Sequence, residues 1–260
     1  MHSLQLISDA ELVSFLDRIP VDLEGGFSKL KDAEISTKSF SFYTSVASVF
    51  SSKIEGEEIE LDSYIKHKRF GIEFSPDYTQ KIDDLYEAYR FAQTHELSNE
   101  NLALAHQFLS RNLLPVQWQG KFRNQNMYVS TPDGKIEYVA ASPFLVSQEM
   151  EKLFSDIQFL LAENLSLAES FYYAAYIHLV FVKIHPWNDG NGRSGRLLEK
   201  WFLASKLGQN AWLVQSEKQY YFHHHSYYQN IRKLGMEYES LDYIKALDFL
   251  LMLPNSVIEK

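Results

Sequence analysis

Apolar residues recur at the three- and four-residue spacing of α-helices along most of the chain. Phe42, Val46 and Phe50, for example, fall on one side of a helix drawn through that part of the sequence. Residues 171–184 are apolar all round, which is typical of a buried helix. The pattern predicts helices over residues 8–18, 37–53, 61–67, 78–94, 101–113, 147–161, 165 or 166–184, 197–207 and 242–253.

Local signals refine the expected boundaries of these helices. Ser8-Asp9 and Ser98 are expected N-caps, because such side chains accept a backbone N–H of the first turn. Gly25-Gly26 is expected to break the chain between elements, since glycine has low helix propensity. Gly56 suits the left-handed position after a helix. No internal repeat or low-complexity linker separates the segments, so one continuous helical body is predicted.

One short region has a strand-like sequence instead. Met127, Tyr128 and Val129 begin the first run, and residues 135–139 form the second. Thr131-Pro132-Asp133-Gly134 lies between them and is a turn sequence, so a β-hairpin is predicted. A two-stranded hairpin is marginal in water and must lie on the helices. The predicted fold class is therefore all-α with one small β-hairpin.

A polar loop at residues 185–196 lies between two apolar segments. Gly190-Asn191-Gly192 can adopt backbone angles closed to other residues, so its N–H groups can form an anion nest. A helix beginning at about Gly192 would add free N–H groups and its dipole. Arg193 and Arg196 share one face near that N-terminus, where positive charge is unfavourable unless an anion pairs with it. The loop is therefore predicted to bind phosphates.

Two titratable residues flank this nest. His185 precedes Pro186, so its backbone is expected to be extended and to end the preceding helix. An ordinary pKa near neutrality makes His185 the natural general base. Asp189 is placed where Mg²⁺ would bridge a carboxylate and phosphate oxygens. His178 is expected to be a core histidine rather than a metal ligand.

Composition narrows the classes of function. A net charge of −9 disfavours non-specific binding to nucleic acid, and the absence of cysteine excludes disulfides, thiol catalysis and cysteine zinc sites. Residues 1–20 lack the long apolar run of a signal peptide. The most apolar stretch, residues 171–184, is too short to span a bilayer. A cytoplasmic protein without nucleic-acid or membrane partners is expected.

The loop sequence, His185-Pro-Trp187-Asn-Asp-Gly-Asn-Gly-Arg-Ser-Gly-Arg196, resembles His-x-Phe-x-Asp/Glu-Gly-Asn-Gly-Arg-x-x-Arg, the signature of Fic domain proteins. Trp187 stands where Phe is usual, so the same anchoring is expected in a larger pocket. Gln119-Gly120-Lys-Phe122-Arg123 resembles the Pro-Gly-x-Phe-Arg that precedes the hairpin of this family. The resemblance implies a protein adenylyltransferase, which moves AMP from ATP onto a Ser, Thr or Tyr hydroxyl of a target protein.

The resemblance also assigns roles around the loop. It implies that ATP is bound with Mg²⁺ as cofactor, which Asp189 holds, and that His185 takes the proton of the attacking hydroxyl. The hairpin is implied to be a flap that docks the target segment by strand addition, through Met127, Tyr128 and Val129. The residues that contact the nucleotide base are less defined by the sequence.

The region after residue 215 roughly matches the family's Ser…Tyr-Tyr helix. One residue too many separates Ser216 from Tyr227-Tyr228, which leaves the adenine contacts open. Tyr220 and Tyr221 are expected to supply a ring that stacks on the base.

A second resemblance lies near the N-terminus. Ser51-Ser52-Lys53-Ile54-Glu55-Gly56 is similar to Ser/Thr-x-x-x-Glu-Gly/Asn, the inhibitory motif of Fic proteins. Its position before the core implies an inhibitory helix in the same chain, at about residues 37–56. Glu55 is implied to pair with Arg196 and to occupy the space that the γ-phosphate needs. Ser51 and Gly56 complete the motif.

The resemblance divides the chain into an N-terminal helical region, residues 1–95, and a Fic domain with C-terminal helices, residues 96–260. Two alternatives stay open at this point: a de-AMPylase on the same fold, and a non-catalytic, ATP-sensing regulatory module. Self-modification and homo-oligomer formation also stay open. The sequence does not name the target protein.

Overall fold

The computed structural model describes residues 4–130 and 136–257, apart from the side chain of Pro76. Within these residues the chain is helical with one antiparallel hairpin, which confirms the predicted fold class. The helices are α1 (Leu12–Arg18), α2 (Leu23–Ser28), α3 (Phe42–Ile54), α4 (Leu61–Phe70), α5 (Pro76–Ala92), α6 (Asn99–Leu109), α7 (Val146–Ala162), α8 (Leu167–Ile184), α9 (Asn191–Leu207), α10 (Ser216–Phe222), α11 (His224–Arg232), α12 (Leu247–Leu250) and α13 (Met252–Asn255). The strands are β1 (Tyr128–Ser130) and β2 (Ile136–Val139).

Helix α8 forms the centre of the fold. Its first turn is capped reciprocally: Ser166 Oγ accepts the Glu169 N–H at 3.2 Å, and the Glu169 carboxylate accepts the Ser166 N–H at 2.8 Å. Every residue in Ser170–Ile184 is buried, as the apolar sequence predicts. Helix α9 packs so closely along α8 that a Cβ at Gly195 would lie 2.9 Å from Val182 Cγ1. The pair of helices therefore fixes both ends of the polar loop.

Helix α3 packs against α5 and α10 and reaches α9. It begins at Phe42, later than predicted, because Ser41 Oγ accepts the Thr44 N–H at 3.2 Å and so caps the helix there. It ends at Ile54, and Gly56 follows with a φ of 91°. The predicted left-handed position of Gly56 is therefore present.

The hairpin pairs Tyr128 with Val139 and Val129 with Tyr138, and an irregularity in register follows Val129. Tyr138 is only 5% exposed, so the hairpin lies on the helical body through this ring. The end of β2 is tied down further, since the Val139 N–H donates to the Met236 carbonyl at 2.7 Å. The predicted turn, Thr131-Pro132-Asp133-Gly134, lies outside the described residues.

Further predicted features differ in the structure. The N-cap expected at Ser8-Asp9 is not formed, because α1 begins at Leu12 and its N-cap, Glu11, makes no side-chain cap bond. Gly25-Gly26 does not break the chain but lies inside α2, because burial of Leu23 and main-chain bonds such as Gly26 N–H to Asp22 O (2.8 Å) outweigh low helix propensity. The predicted helix over 242–253 is divided into a 3₁₀ turn, Tyr243–Ala246, followed by α12 and α13. None of the helices in residues 4–130 and 136–257 is both long and apolar enough to cross a membrane.

Candidate active site

The loop between α8 and α9 is anchored by Trp187. This side chain is fully buried, with its ring stacked on His106 at 4.4 Å and tilted against Phe122 at 5.1 Å. Asn191 then closes the loop: its Oδ1 accepts the Trp187 N–H at 2.8 Å, and its Nδ2 donates to the Trp187 carbonyl at 2.9 Å. The Asn191 side chain thus holds the loop and is not free to bind phosphate, in contrast to its N–H.

His106, on α6, braces the same loop from behind. Its Nδ1 accepts the Gly120 N–H at 2.9 Å, so its Nε2 carries the proton and donates to the Asp189 carbonyl at 3.0 Å. Burial lowers the pKa of His106 to about 4, which keeps this donor–acceptor arrangement intact at neutral pH. The Asp189 backbone is therefore fixed by a neutral imidazole.

Arg123 holds the C-terminal end of α8. Its Nε donates to the His185 carbonyl at 2.7 Å, and its Nη2 donates to the carbonyls of Ile184, at 3.2 Å, and Ala141. Its Nη1 donates to the Gln125 carbonyl at 2.7 Å. The guanidinium thus satisfies carbonyls that a helix end leaves without partners, and it joins the base of the hairpin to α8.

His185 ends α8, as predicted, but its backbone is not extended. It has φ 55° and ψ 59°, in the left-handed region, and it is the only non-glycine residue with positive φ in the described part of the chain. The expectation from the following proline was wrong because the His185 N–H still bonds to the Phe181 carbonyl at 2.9 Å while Arg123 holds the His185 carbonyl. Such strain is common at functional sites.

The imidazole of His185 has a defined proton arrangement. Its Nδ1 lies 3.3 Å from the Val182 carbonyl, which only accepts, so Nδ1 carries the proton and Nε2 keeps its lone pair. Burial lowers the pKa of His185 to about 4, although the Val182 bond and the charge of Glu55 favour protonation. The ring is therefore neutral at pH 7 and able to accept a proton at Nε2.

The Glu55 carboxylate lies beside the N-terminus of α9. Gly190 caps the helix with a φ of 77°, and a Cβ there would lie 2.8 Å from Leu109 Cδ1. At Gly192 a Cβ would lie only 2.2 Å from Glu55 Oε1, so the Glu55 carboxylate lies directly against the first turn. The prediction of a helix beginning at about Gly192 is close, since α9 begins at Asn191.

Glu55 is bound by the second arginine of the loop. Arg196 is fully buried, and its Nη2 donates to Glu55 Oε1 at 2.6 Å. Ser51 holds the same guanidinium, through Oγ at 2.8 Å from Nε and its carbonyl at 3.0 Å from Nη2. Burial alone would raise the pKa of Glu55, but the charges of Arg196 and Arg193 outweigh it and hold that pKa below 4.5.

The first arginine of the loop faces a second carboxylate from the same segment. Arg193 Nη2 lies 3.4 Å from Glu57 Oε1, which also accepts from Lys81 Nζ at 2.7 Å. The buried Arg193 Nε has no hydrogen-bond partner among the described residues. Both arginines are thus oriented toward acidic groups just beyond α3, and Arg193 retains an N–H that a phosphate oxygen would satisfy.

The cavity left around these groups has a volume of about 80 Å³, room for two or three waters. Its walls include Glu55, Val129, Tyr138, His185, Arg196 and Tyr228. This space is smaller than a nucleoside triphosphate.

Residues 96–203 match the sequence model of the Fic/DOC family, and this stretch contains the loop, α8, most of α9 and the hairpin. Residues 96–203 form a Fic domain. The protein adenylyltransferase fic-1 of Caenorhabditis briggsae is 34% identical over 104 residues, which cover 40% of this chain and 18% of that protein. The protein adenylyltransferase Fic of Drosophila persimilis is 28% identical over 131 residues, 50% of this chain and 24% of that protein. The chain thus matches under a quarter of the length of these curated relatives.

Solved structures share the fold. A Fic family protein from Desulfovibrio desulfuricans superposes with a TM-score of 0.70 at 18% identity, over 99% of this chain and 75% of that one. A Fic domain containing signaling protein from Bacteroides thetaiotaomicron gives 0.67 at 17% identity, over 91% of each chain. At these identities the likeness concerns the Fic fold alone.

The loop of residues 185–196 and the segment after α3 both contribute to the cavity. Not every predicted site residue lines it. Asp189 is exposed, and its Oδ1 accepts the Gly190 N–H at 2.6 Å. No group of three His, Cys, Asp or Glu able to hold a metal occurs among residues 4–130 and 136–257. One carboxylate beside an anion nest nevertheless fits Mg²⁺, which usually takes one or two carboxylates with phosphate and water oxygens.

The predicted flap residues are divided between the two faces of the hairpin. Val129 points into the cavity, whereas Tyr128 is 60% exposed on the opposite face. Met127 precedes β1, and its carbonyl accepts the Ala140 N–H at 3.0 Å. The hairpin therefore presents one side to the site and one to the surroundings.

The two tyrosines expected to stack on adenine do not line this cavity. Tyr220 is fully buried and donates to Glu199 at 2.7 Å, so a base could not stack on it without rearrangement of the core. Tyr221 packs on Phe50 at 5.4 Å and does not line the cavity. The tyrosines that do line the cavity are Tyr227 and Tyr228, the pair whose spacing from Ser216 is one residue too long for the family pattern.

The helix is interrupted within the stretch that carries the offset. Helix α10 ends at Phe222 and α11 begins at His224, with His223 between them. The hydroxyl of Tyr227 lies in the core, 3.0 Å from His178 Nε2. The Nδ1 of the same histidine lies 2.7 Å from Glu199 Oε2. His178 is thus a fully hydrogen-bonded core histidine, as predicted.

His106 and His185 should remain neutral well below the ordinary histidine pKa. Both have a pKa of about 4 because of burial, so neither should titrate between pH 8 and about pH 5. The unfolded chain takes up these protons near pH 6.5, so this contribution to the free energy of unfolding is present above pH 6.5 and is lost as the pH falls towards 4. Imidazole resonances from NMR, assigned with His106→Gln and His185→Asn variants, would measure it. Titration of either ring near pH 6.5 would contradict the described hydrogen bonds.

Proposed function

We propose that the chain is a protein adenylyltransferase that moves AMP from ATP to a Ser, Thr or Tyr hydroxyl of a target protein. The observation that carries the proposal is the neutral His185, whose Nδ1 is bound to Val182 and whose Nε2 is left as an acceptor beside an anion site. A sensor of ATP would need the anion site but no base. The names of the curated relatives support the same activity.

Each step of the proposed transfer is assigned to residues of this site. His185 Nε2 takes the proton of the target hydroxyl as its oxygen forms a bond to the α-phosphorus. The bond from the α-phosphorus to the bridging oxygen breaks, and pyrophosphate leaves. The N–H groups of Asn191 and Gly192, with Arg193 and Arg196, hold the β- and γ-phosphates and so orient the leaving pyrophosphate. Asp189 would hold Mg²⁺, which neutralises phosphate charge when bound.

The same geometry supports autoinhibition by the segment after α3. The Glu55 carboxylate occupies the anion site at Gly192 and engages Arg196, so it stands where the γ-phosphate would bind. Ser51 contributes by holding the guanidinium, and Gly56 allows the chain to turn away after Glu55. Activity would require this segment to leave.

The test uses ATP labelled at two positions. The Glu55→Gly chain is incubated in a lysate with Mg²⁺ and either [α-³²P]ATP or [γ-³²P]ATP, and proteins are separated and analysed by mass spectrometry. We expect label from the α position only and a mass increase of one AMP on each modified protein, including the chain itself if it modifies itself. Label from the γ position would indicate phosphate transfer, and no label from either would reject the proposal.

Removal of AMP is the second candidate, and one observation favours it. Glu55 is held as a carboxylate in the same cavity as His185, where it could orient a water molecule toward a phosphorus. Addition and removal of AMP are distinguished by incubating AMP-modified protein from the first experiment with the wild-type chain. Release of AMP by the wild-type chain, but not by Glu55→Gly, would support removal.

A further inference from the structure

Tyr138 projects from β2 into the space behind the predicted base. Its side chain is buried, and its hydroxyl donates to the Val182 carbonyl at 2.9 Å. The same hydroxyl oxygen lies 3.2 Å from His185 Nδ1, which is itself 3.3 Å from the Val182 carbonyl. Three polar atoms, from a strand, a helix and a helix end, therefore form one closed triangle.

The available protons determine how this triangle is bonded. The carbonyl can only accept, and the single phenolic proton of Tyr138 is directed to it. The Tyr138 oxygen is therefore left as an acceptor for the His185 Nδ1–H, 3.2 Å away. His185 thus shares its Nδ1–H between two acceptors, and both bonds become charge-assisted when Nε2 takes a proton.

The ring of Tyr138 is held in place independently of its hydroxyl. Lys183 Nζ lies 4.2 Å above the ring centroid, and the same ammonium donates to the Gly235 carbonyl at 3.2 Å. Val129 pairs with Tyr138 across the hairpin. The hydroxyl can therefore be removed while the aromatic ring keeps its packing and its cation–π contact.

The geometry points to Tyr138 as a positioning residue that orients His185 for proton transfer and joins the target-docking hairpin to the base. This inference rests on the proposed function, because orientation of Nε2 is useful only if His185 accepts a proton. It adds a consequence for target binding: a segment that docks on the hairpin acts on β2, and β2 carries the group that holds the imidazole. Without the contact to Tyr138, His185 would keep its hydrogen bond to the Val182 carbonyl but lose the second restraint on its ring.

The test compares Tyr138→Phe with Tyr172→Phe, both in the Glu55→Gly background. Tyr172 is a matched control, since its buried hydroxyl also donates to a main-chain carbonyl, that of Ser8 at 2.7 Å. For Tyr138→Phe we expect kcat to fall about five- to tenfold, as for the loss of one hydrogen bond, with KM for ATP unchanged. For Tyr172→Phe we expect the parent kcat.

A second measurement needs no activity. In the ¹⁵N-labelled 260-residue chain, the His185 Nδ1–H signal, assigned by its loss in His185→Asn, should exchange with solvent faster in Tyr138→Phe and at the parent rate in Tyr172→Phe. Unchanged exchange in Tyr138→Phe would overturn the inference whatever the kinetics. Equal kcat losses in both variants would also overturn it, because they would indicate a general structural effect. Absence of AMP transfer in the Glu55→Gly parent would reject the proposed function instead, and the exchange rates would still decide the role of Tyr138.

Discussion

Glu55→Gly is expected to raise the rate of AMP transfer by about tenfold to hundredfold. The change removes the carboxylate that lies against Gly192 and that binds Arg196 at 2.6 Å. A charge-assisted hydrogen bond contributes about 1.5–3 kcal/mol, which corresponds to about tenfold to hundredfold in an equilibrium. The Glu55 side chain is 28% exposed, so solvent screening favours the lower part of this range. Part of the expected rate increase comes from the volume that the Glu55 side chain vacates, because the cavity beside it is smaller than a triphosphate.

The measurement is the initial rate of labelling with [α-³²P]ATP at fixed target concentration. Glu58→Gly is the matched control, since it removes an exposed carboxylate from the same segment and should leave the rate unchanged. Glu57→Gln weakens the contacts with Arg193, at 3.4 Å, and with Lys81, at 2.7 Å, but leaves the Glu55–Arg196 pair intact, so it should give a smaller increase than Glu55→Gly. An unchanged or lower rate for Glu55→Gly would reject inhibition by this residue.

A moderate fall in pH should not substitute for this mutation. The pKa of Glu55 is held below its ordinary 4.5 by Arg196 and Arg193, against the opposing effect of burial. The stabilisation from the ion pair is therefore fully present above pH 4.5 and is lost only as the pH falls through the lowered value. Release in the neutral range must come from a binding partner, a change in assembly or a covalent modification.

The sequence predicted most helices and the composition of the loop because these depend on residues near one another in the chain. The periodicity of α8 and the cap at Ser166 are local, and so is the capacity of Gly190-Asn191-Gly192 to begin a helix. The anion expected beside Arg193 and Arg196 is present as carboxylates of the chain itself. The resemblance predicted the pairing of Glu55 with Arg196, but it did not predict the pairing of Glu57 with Arg193.

The features that were missed depend on contacts distant in sequence. The left-handed backbone of His185 is fixed by Arg123, and the position of Asp189 by His106. Neither bond has a local signature, and Pro186 alone favoured an extended residue. Tyr138 lies on a predicted strand, but its contacts with Val182 and His185 are also distant in sequence and had no local signature.

His185→Asn is expected to lower AMP transfer by about 10²- to 10⁴-fold in the Glu55→Gly background, the usual contribution of a general base. The affinity for ATP should be unchanged, because the anion site is formed by the N-terminus of α9 and the two arginines rather than by the imidazole. Single-turnover labelling measures the chemical step, and titration calorimetry with ATP and Mg²⁺ measures binding.

Asparagine is preferable to alanine here because residue 185 has a φ of 55°. An alanine in the left-handed region costs about 1–2 kcal/mol and could disturb the loop, whereas asparagine tolerates that conformation and cannot act as a base. His185→Ala should abolish transfer as well, so agreement between the two variants separates the loss of the base from strain in the backbone. Labelling by His185→Asn at the parent rate would mean that the target hydroxyl loses its proton to another group, and the assignment of His185 would have to be abandoned.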